Sequence, residues 1–182
     1  MLAKRNSLTE QEIHSKSKRI QEIFTTSSFF EESNVLGVYI AHGSEVRTRL
    51  IIEAGFRNSK TIALPRVVDS ESMSFHKIDE YRMNSLFRGK FGILEPKGTE
   101  SEVSKALDLL IVPGIAFDLH GYRLGHGMGY YDNFLRNKGQ VSVVGLAFDI
   151  QIIKTQFLPH SKYDMKVDSV VTETGFRSFA LN

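Results

Sequence analysis

Short, continuous apolar segments recur along the chain and alternate with stretches in which apolar residues follow a helical spacing. The apolar segments cover residues 35–41, 61–64, 107–112, 141–148 and 167–172. Such segments are typical of strands that are covered on both faces, whereas a half-exposed strand alternates apolar and polar residues. Buried strands between helices predict an α/β fold of three layers. Its sheet should be mainly parallel, with helices on both faces, in a single domain over residues 1–182.

Three helices are predicted, one before the first of these strands and two between later ones. Thr9 and Glu12 form a capping-box pattern, and the apolar residues behind them predict an amphipathic helix over residues 9–24. Glu45 is expected to open a second helix, because it precedes another apolar stripe with helical spacing. A third helix is predicted over residues 130–138.

The middle of the chain has weaker patterns. Pro65 is expected to end the strand 61–64, since a proline cannot donate to a sheet ladder. Met73 and Phe75 alternate with serines, as in a half-exposed strand. The polar stretch 79–105 contains several glycine and proline breaks and is expected to form a hairpin with irregular surface structure.

The composition excludes several classes of function. The 182 residues contain no cysteine, which excludes disulfides, thiol catalysis and thiolate-bound zinc or iron–sulfur centres. The 23 basic and 21 acidic side chains form no dense basic segment, so no nucleic-acid partner is expected. No apolar segment approaches the roughly 20 residues of a membrane span, and the N-terminus lacks the apolar core of a signal peptide. We expect a cytoplasmic protein without a membrane partner, and a monomer.

The segment 121–132 is the densest candidate for a ligand site. Its glycines at 125, 127 and 129 permit positive φ and let backbone N–H groups converge on an anion. The segment lies between a predicted strand and a predicted helix, at the carboxyl edge of the sheet where ligands bind. It is not a P-loop, since no Gly-Lys-Ser/Thr follows, and Tyr130 replaces the last glycine of the dinucleotide fingerprint. An anion or nucleotide loop is favoured, and a turn that only crosses a packed sheet is the alternative.

Charged side chains in and around this segment have candidate roles of their own. Arg123 could make a forked contact with phosphate, and Asp132 could either hold Mg²⁺ or stabilise a helix start. Asp168 lies in an apolar strand, where a charge is costly unless it is paired, metal-bound or turned outward. Glu45 could accept hydrogen bonds from a ligand's amine or amide, or be only a helix-start acid. His126 is the only histidine at residues 121–132 and a candidate phosphate contact.

Several motifs together resemble the signature of the 5-formyltetrahydrofolate cyclo-ligase family, also called methenyltetrahydrofolate synthetases. The main matches are Val112-Pro-Gly-Ile-Ala-Phe-Asp118, Gly121-Tyr-Arg-Leu-Gly-His-Gly-Met-Gly-Tyr-Tyr-Asp132 and Phe134-Leu135. Supporting matches are Ser44-Glu-Val-x-Thr48, Ala63-Leu-Pro-Arg66, Gly92-Ile-x-Glu-Pro96, Asp164-x-x-Val-Asp168 and Thr172-Glu173. The matches extend over most of the chain and occur in the family's order.

The resemblance implies a Rossmann-like three-layer fold and an ATP- and Mg²⁺-dependent reaction. In that reaction 5-formyltetrahydrofolate, as a mono- or polyglutamate, becomes 5,10-methenyltetrahydrofolate, with release of ADP and phosphate. It implies ATP contacts by the loop residues Arg123, Leu124, Gly125, His126, Gly127, Met128, Gly129, Tyr130 and Tyr131. It implies folate contacts by Ile40, Glu45, Gly127, Met128, Gly129 and Tyr130, and magnesium ligation by Asp132 and Asp168.

The chemistry of such a reaction requires no covalent protein intermediate. A formamide oxygen is a poor leaving group, and phosphorylating it allows the second folate nitrogen, N10, to attack the formyl carbon and close a ring. Phosphoryl transfer needs mostly positioning and charge stabilisation, which Arg123 and the glycine N–H groups would supply, so no other catalytic side chain is predicted.

One departure from the family pattern and two other functions stay open. Family members usually carry a Lys-x-x-x-Arg pair upstream that touches nucleotide phosphate. Here only Lys4 and Arg5 could replace it, and neither is assigned a role. The alternatives are a nucleotide- or folate-binding paralogue without turnover, and a sugar-phosphate isomerase or transferase on a similar scaffold.

Overall fold

The computed structural model describes residues 1–80, 86–155 and 157–179. Its α-helices are α1 (Leu2–Asn6), α2 (Glu10–Thr25), α3 (Ser28–Glu32), α4 (Arg49–Arg57) and α5 (Tyr130–Lys138). Its first strands are β1 (Val35–Gly37), β2 (Thr61–Val67), β3 (Met73–Ile78), β4 (Phe87–Arg88), β5 (Leu94–Glu95) and β6 (Leu109–Val112). Its later strands are β7 (Ala116–Asp118), β8 (Arg123–Leu124), β9 (Ser142–Leu146), β10 (Ile152–Ile153), β11 (Ser169–Thr172) and β12 (Gly175–Ser178).

The central sheet has seven strands in the order β12-β11-β9-β6-β1-β2-β3. The five inner strands are parallel to one another, and antiparallel strands β3 and β12 form the two edges. Two small sheets, β10-β7-β8 and β4-β5, lie outside it. The predicted α/β class with a mainly parallel sheet is confirmed.

Hydrophobic cores cover both faces of this sheet, because successive residues of a strand point to opposite sides. Leu109 and Ile111 of β6 pack in one core with residues of α2 and α4. Leu110 and Val112 pack in the other core with Leu135 of α5. Burying one such side chain contributes about 1.5–3 kcal/mol to folding. Because every residue of β6 is apolar and buried, the strand contributes to the cores on both faces of the sheet.

The local pattern at Thr9 and Glu12 is confirmed in detail. Thr9 Oγ1 accepts the Glu12 N–H at 3.2 Å, and Glu12 Oε2 accepts the Thr9 N–H at 2.8 Å. Helix α2 therefore begins where the capping box predicts. Within the described residues, no helix is both long and apolar enough to cross a membrane.

The prediction that a helix opens at Glu45 is wrong. Helix α4 begins at Arg49 with Thr48 as its N-cap, and Glu45 lies in the preceding turn. There the Glu45 carboxylate accepts the N–H of His42 at 2.9 Å. An acid that closes a turn in this way resembles a helix-start acid in sequence, because both accept nearby backbone N–H groups.

Pro65 does not end its strand as predicted. Strand β2 continues to Val67, although its pairing with β1 ends at Ala63. Beyond that point β3 is the one described strand that pairs with β2, and a proline is tolerated where one side of a strand is unpaired. The predicted half-exposed strand at Met73 is confirmed as β3. Part of the expected hairpin at 79–105 appears as β4 and β5, while residues 81–85 lie outside the described residues.

Candidate active site

The sheet order creates a crevice between the carboxyl ends of β1 and β6. From β1 the chain moves to β2 on one side, whereas β6 lies on the other side of β1. Ligands of open α/β sheets bind where the strand order reverses in this way. The loop after β1 carries Ile40 and Glu45, and the chain after β6 leads to the glycine-rich segment. Ile40 is half-buried against the hydrophobic core.

The glycine-rich segment leaves a hairpin of β7 and β8 and leads directly into α5. Gly127 (φ +84°) and Gly129 (φ +68°) have left-handed backbone conformations that favour glycine. No backbone N–H from residue 125 to 132 donates a hydrogen bond to another described residue. Met128 is 45% exposed at the tip. The loop therefore presents free amide donors next to a helix N-terminus, as an anion site requires.

A buried ion pair lies at the base of this loop. Arg123 Nη2 is 3.1 Å from Asp132 Oδ2, and the two side chains are only 6% and 18% exposed. The other oxygen of Asp132 accepts the N–H of Met165 at 3.1 Å. The Arg123 guanidinium also lies over the ring of Tyr131, 5.2 Å from its centroid. These contacts fix the guanidinium and the carboxylate in place before any ligand binds.

Glu45 faces the same loop from the other side of the crevice. Burial raises the pKa of Glu45, while the N–H of His42 and the charges of Arg5 and His126 pull that pKa down. Burial, followed by the nearby Glu45 charge, also raises the pKa of Tyr131. The structure thus brings the predicted folate acid together with His126 and Tyr131 of the predicted nucleotide loop.

Arg5, to which the sequence assigned no role, is part of this site. Its side chain is 4% exposed, Nε donates to Ser44 Oγ at 3.0 Å, and Nη1 donates to the Gly114 carbonyl at 3.1 Å. Gln151 donates to the same carbonyl at 2.8 Å. Arg5 therefore links the loop of Glu45 to the residues just before the β7–β8 hairpin, whereas Lys4 is exposed.

The two predicted magnesium ligands contact different parts of the fold. Asp168 immediately precedes β11, and its Oδ2 accepts the N–H of Val143 at 2.7 Å, at the amino end of β9. Asp132 instead contacts Arg123 and Met165. Among the described residues no group of three or more acidic, His or Cys side chains could hold a metal ion.

Asp164 is the other acid of the Asp164-x-x-Val-Asp168 motif, and no role is predicted for it from the sequence. Asp164 is next in the chain to Met165, whose N–H contacts Asp132, and its Oδ2 accepts the N–H of Ser161 at 2.5 Å. It is therefore closer along the chain to the Asp132 contact than Asp168 is. The motif itself was the available signal, but its spacing alone could not show that the chain next to Asp164 contacts Asp132 of α5.

Fold and site together define a Rossmann-like α/β protein with a glycine-rich loop of free amides at the switch point of its sheet. The chain belongs to the 5-formyltetrahydrofolate cyclo-ligase family, whose model matches residues 1–173. The family predicted from the motifs is therefore confirmed. The single-domain boundaries, the compartment and the oligomeric state stay predictions.

Relatives with known names agree with this membership. The "Probable 5-formyltetrahydrofolate cyclo-ligase" of Schizosaccharomyces pombe is 34% identical over 141 residues, which are 70% of this chain and 69% of the relative. The 5-formyltetrahydrofolate cyclo-ligase of Escherichia coli K12 is 31% identical over 77% of this chain and 78% of its own length. The NMR structure of Aquifex aeolicus 5,10-methenyltetrahydrofolate synthetase superposes with a TM-score of 0.85 at 32% identity, covering 100% of this chain and 90% of that one.

Proposed function

We propose that this protein converts 5-formyltetrahydrofolate into 5,10-methenyltetrahydrofolate, using ATP and Mg²⁺ and releasing ADP and phosphate. The observation that carries the proposal is the meeting of two features in one crevice. The free amides of residues 125–132 suit phosphate groups, and the Glu45 carboxylate opposite them suits the amine and N–H groups of a pterin. Family membership supports the same reaction.

The residues of the loop would supply positioning and charge stabilisation. Transfer of the γ-phosphoryl group to the formyl oxygen makes that oxygen a leaving group, so that N10 can close the ring. Arg123, which is held by its ion pair with Asp132, and the free loop amides would stabilise the negative charge of the transferred group. Glu45, kept in place by the N–H of His42, would orient the folate so that its formyl group faces the loop.

Asp132 is the residue that we propose for Mg²⁺. Each of its carboxylate oxygens accepts one hydrogen bond or ion pair and retains a lone pair for a hard cation. Asp164, one residue from the Met165 contact, is the second candidate ligand. The resemblance also implies Asp168, but its bond to Val143 supports a role in holding β9 and β11 together.

The experiment that tests the proposal is a spectroscopic assay for the methenyl product. Purified protein is mixed with 5-formyltetrahydrofolate, ATP and Mg²⁺, and the absorbance of the product is followed. We expect an increase that requires all three components. Calorimetric binding of nucleotide and folate without product would instead support the non-catalytic paralogue, and ATP-independent turnover of a sugar phosphate would support the isomerase.

A further inference from the structure

The loop that carries Glu45 is fastened to the first two helices of the chain. Before Glu45 in the sequence, the Ser44 hydroxyl accepts Arg5 Nε of α1 at 3.0 Å. After Glu45, the N–H of Arg47 donates to Ser17 Oγ of α2 at 3.0 Å. Contacts with the N-terminal segment therefore hold this loop on both sides of its carboxylate.

Arg5 is a buried cation whose hydrogen bonds go to neutral oxygens. Ser44 Oγ donates its own proton to Asn6 Oδ1 at 2.5 Å and so turns a lone pair toward the guanidinium. The second acceptor is the Gly114 carbonyl, and Arg5 forms no ion pair among the described residues. Since a buried charge without a carboxylate partner is unfavourable for folding, its place beside the Glu45 loop indicates a role other than stability.

The charge of Arg5 acts on Glu45, the residue that follows Ser44. Burial raises the pKa of Glu45, and the N–H of His42 and the Arg5 charge lower it, followed by the charges of His126 and His42. An imidazole is largely neutral above pH 7, whereas a guanidinium keeps its charge. At neutral pH, Arg5 therefore supplies the lasting positive charge among these groups.

The other titratable groups near this carboxylate are two buried tyrosines. Arg5 also acts on Tyr39, but burial raises the pKa of that hydroxyl well above its usual range. Burial raises the pKa of Tyr131 as well. Both phenols are therefore neutral at physiological pH, and the negative charge that Arg5 meets here is that of Glu45.

We propose that Arg5 is a positioning residue for the folate substrate, because it holds the Glu45 loop in place and supplies the positive charge that the Glu45 carboxylate meets. The inference rests on the proposed function, since it assumes that Glu45 binds the pterin. Arg5 acts through Glu45, so this role requires no contact between the guanidinium and folate or phosphate. It therefore differs from that of the phosphate-binding Lys-x-x-x-Arg pair that the family resemblance implies.

A double-mutant cycle of Arg5→Met and Glu45→Gln tests whether Arg5 acts through Glu45. KM for 5-formyltetrahydrofolate is measured at saturating ATP and Mg²⁺. Arg5→Met alone should raise this KM about tenfold, because the carboxylate loses its support. In the Glu45→Gln background the same change should raise it less than about threefold, since the group that Arg5 acts on is already removed. Equal fold-changes in the two backgrounds would overturn the proposal.

The pH profile distinguishes this role from a purely structural one. In Arg5→Met the acid limb of kcat/KM for folate should move to higher pH, because Glu45 loses a charge that lowers its pKa. Arg5→Lys keeps the charge and should restore the wild-type limb, although an ammonium cannot reproduce the forked contacts of a guanidinium. Lowered stability of Arg5→Met with a wild-type acid limb would make Arg5 a structural residue only.

Ser44→Ala tests the same contact without replacing the buried arginine, in case Arg5→Met does not fold. It removes the acceptor of Arg5 Nε and leaves the guanidinium in place. The folate KM should rise about threefold in the wild-type background and stay unchanged in the Glu45→Gln background. A wild-type folate KM in Ser44→Ala would contradict the proposed positioning.

Two variants serve as matched controls. Lys4→Met removes a positive charge from the exposed side chain next to Arg5 and should keep the wild-type folate KM and acid limb. Gln151→Met removes the other donor to the Gly114 carbonyl without removing a charge, so the acid limb should stay in place. A movement of the limb in either control would show that the pH readout is not specific for Arg5.

Two further outcomes separate this inference from the proposed function. A rise confined to the KM for ATP in Arg5→Met would make Arg5 a phosphate contact and overturn the positioning role. Absence of turnover by the wild type would contradict the proposed function instead. In that case calorimetric titration of 5-formyltetrahydrofolate into wild type, Arg5→Met and Arg5→Lys at several pH values still decides the role of Arg5, because folate binding alone reports on Glu45.

Discussion

Carboxylates at the amino and carboxyl ends of the parallel sheet differ in the groups that surround them. At the amino end, Asp108 accepts the N–H groups of Asn34 and Val35 at 2.8 and 3.1 Å. Asp168 accepts the N–H of Val143 at 2.7 Å at the same end. Each of these acids satisfies main-chain donors where a neighbouring strand begins. Such bonds hold adjacent strands in register and leave few donors for a ligand.

At the carboxyl end, the acids also accept main-chain N–H groups, but charged side chains of other segments act on them as well. Arg123 pairs with Asp132, and the charges of Arg5 and His126 act on Glu45. The amides of residues 125–132 have no donated bond within the described chain. Unpaired donors and half-buried charges oppose stability, so their concentration at one end supports the proposal that this end binds the ligand. Replacing a carboxylate is therefore expected to change activity at the carboxyl end of the sheet and stability at the amino end.

Asp132→Asn is expected to have the largest effect on activity. The change keeps the size of the side chain but removes the charge proposed to hold Mg²⁺, so kcat should fall by about 100-fold or more. The initial rate of methenyl formation over a range of Mg²⁺ concentrations measures it. Asp108→Asn makes the same chemical change at the amino end and should retain turnover. A wild-type rate in Asp132→Asn would remove the distinction between the two ends.

Arg123→Met should have the next largest effect on activity. Without the guanidinium the KM for ATP is expected to rise about tenfold to a hundredfold, because a charge-assisted phosphate contact is lost. The free energy of unfolding should also fall by about 3 kcal/mol, since Asp132 is left half-buried without its partner. ATP saturation curves and urea unfolding measure the two effects. An unchanged KM for ATP, with lowered stability, would reduce Arg123 to a structural residue.

Asp164→Asn and Asp168→Asn form a matched pair within one motif. Asp164→Asn should raise the Mg²⁺ requirement about tenfold, because its neighbour Met165 contacts Asp132. Asp168→Asn should lower the free energy of unfolding by about 1–2 kcal/mol through the weakened bond to Val143, with the Mg²⁺ requirement kept. Mg²⁺ titrations and urea unfolding of both variants check this. A raised Mg²⁺ requirement in Asp168→Asn would restore the metal role implied by the family resemblance.

The parts of the fold that could be predicted from the sequence depend on local patterns. Helix α2 begins at its capping box because Thr9 and Glu12 are three residues apart and need no other segment. The apolar run of β6 predicts burial on both faces for the same reason. Glycines 125, 127 and 129 indicated a loop of accessible amides, which the structure contains.

The parts that could not be predicted depend on contacts between distant segments. Arg5 donates to Ser44 and Gly114, which are 39 and 109 residues away along the chain. The sequence around Arg5 contains no pattern that predicts these contacts. Glu45 was placed on a helix because the turn that it closes has no separate sequence signal. Pro65 stays within a strand because β1 stops pairing at Ala63, which only the assembled sheet determines.

Glu45→Gln should have the smallest effect on stability. It should raise Tm, whereas the variants at the amino end of the sheet should lower it. The folded protein raises the pKa of Glu45, so the native state holds that proton more tightly than the unfolded chain does. The ionised carboxylate therefore lowers stability above the raised pKa, and this cost disappears as the pH falls through it. At neutral pH the neutral glutamine should raise Tm by roughly 2 °C.

Thermal unfolding of wild type and Glu45→Gln between acidic and neutral pH measures this effect. The difference in Tm should shrink as the pH is lowered through the raised pKa, while Asp108→Asn lowers Tm at neutral pH. The KM for 5-formyltetrahydrofolate should rise in Glu45→Gln, because the pterin loses a charged acceptor. A lowered Tm at neutral pH would instead make Glu45 a carboxylate that holds the fold, like Asp108, and would remove the contrast between the two ends of the sheet.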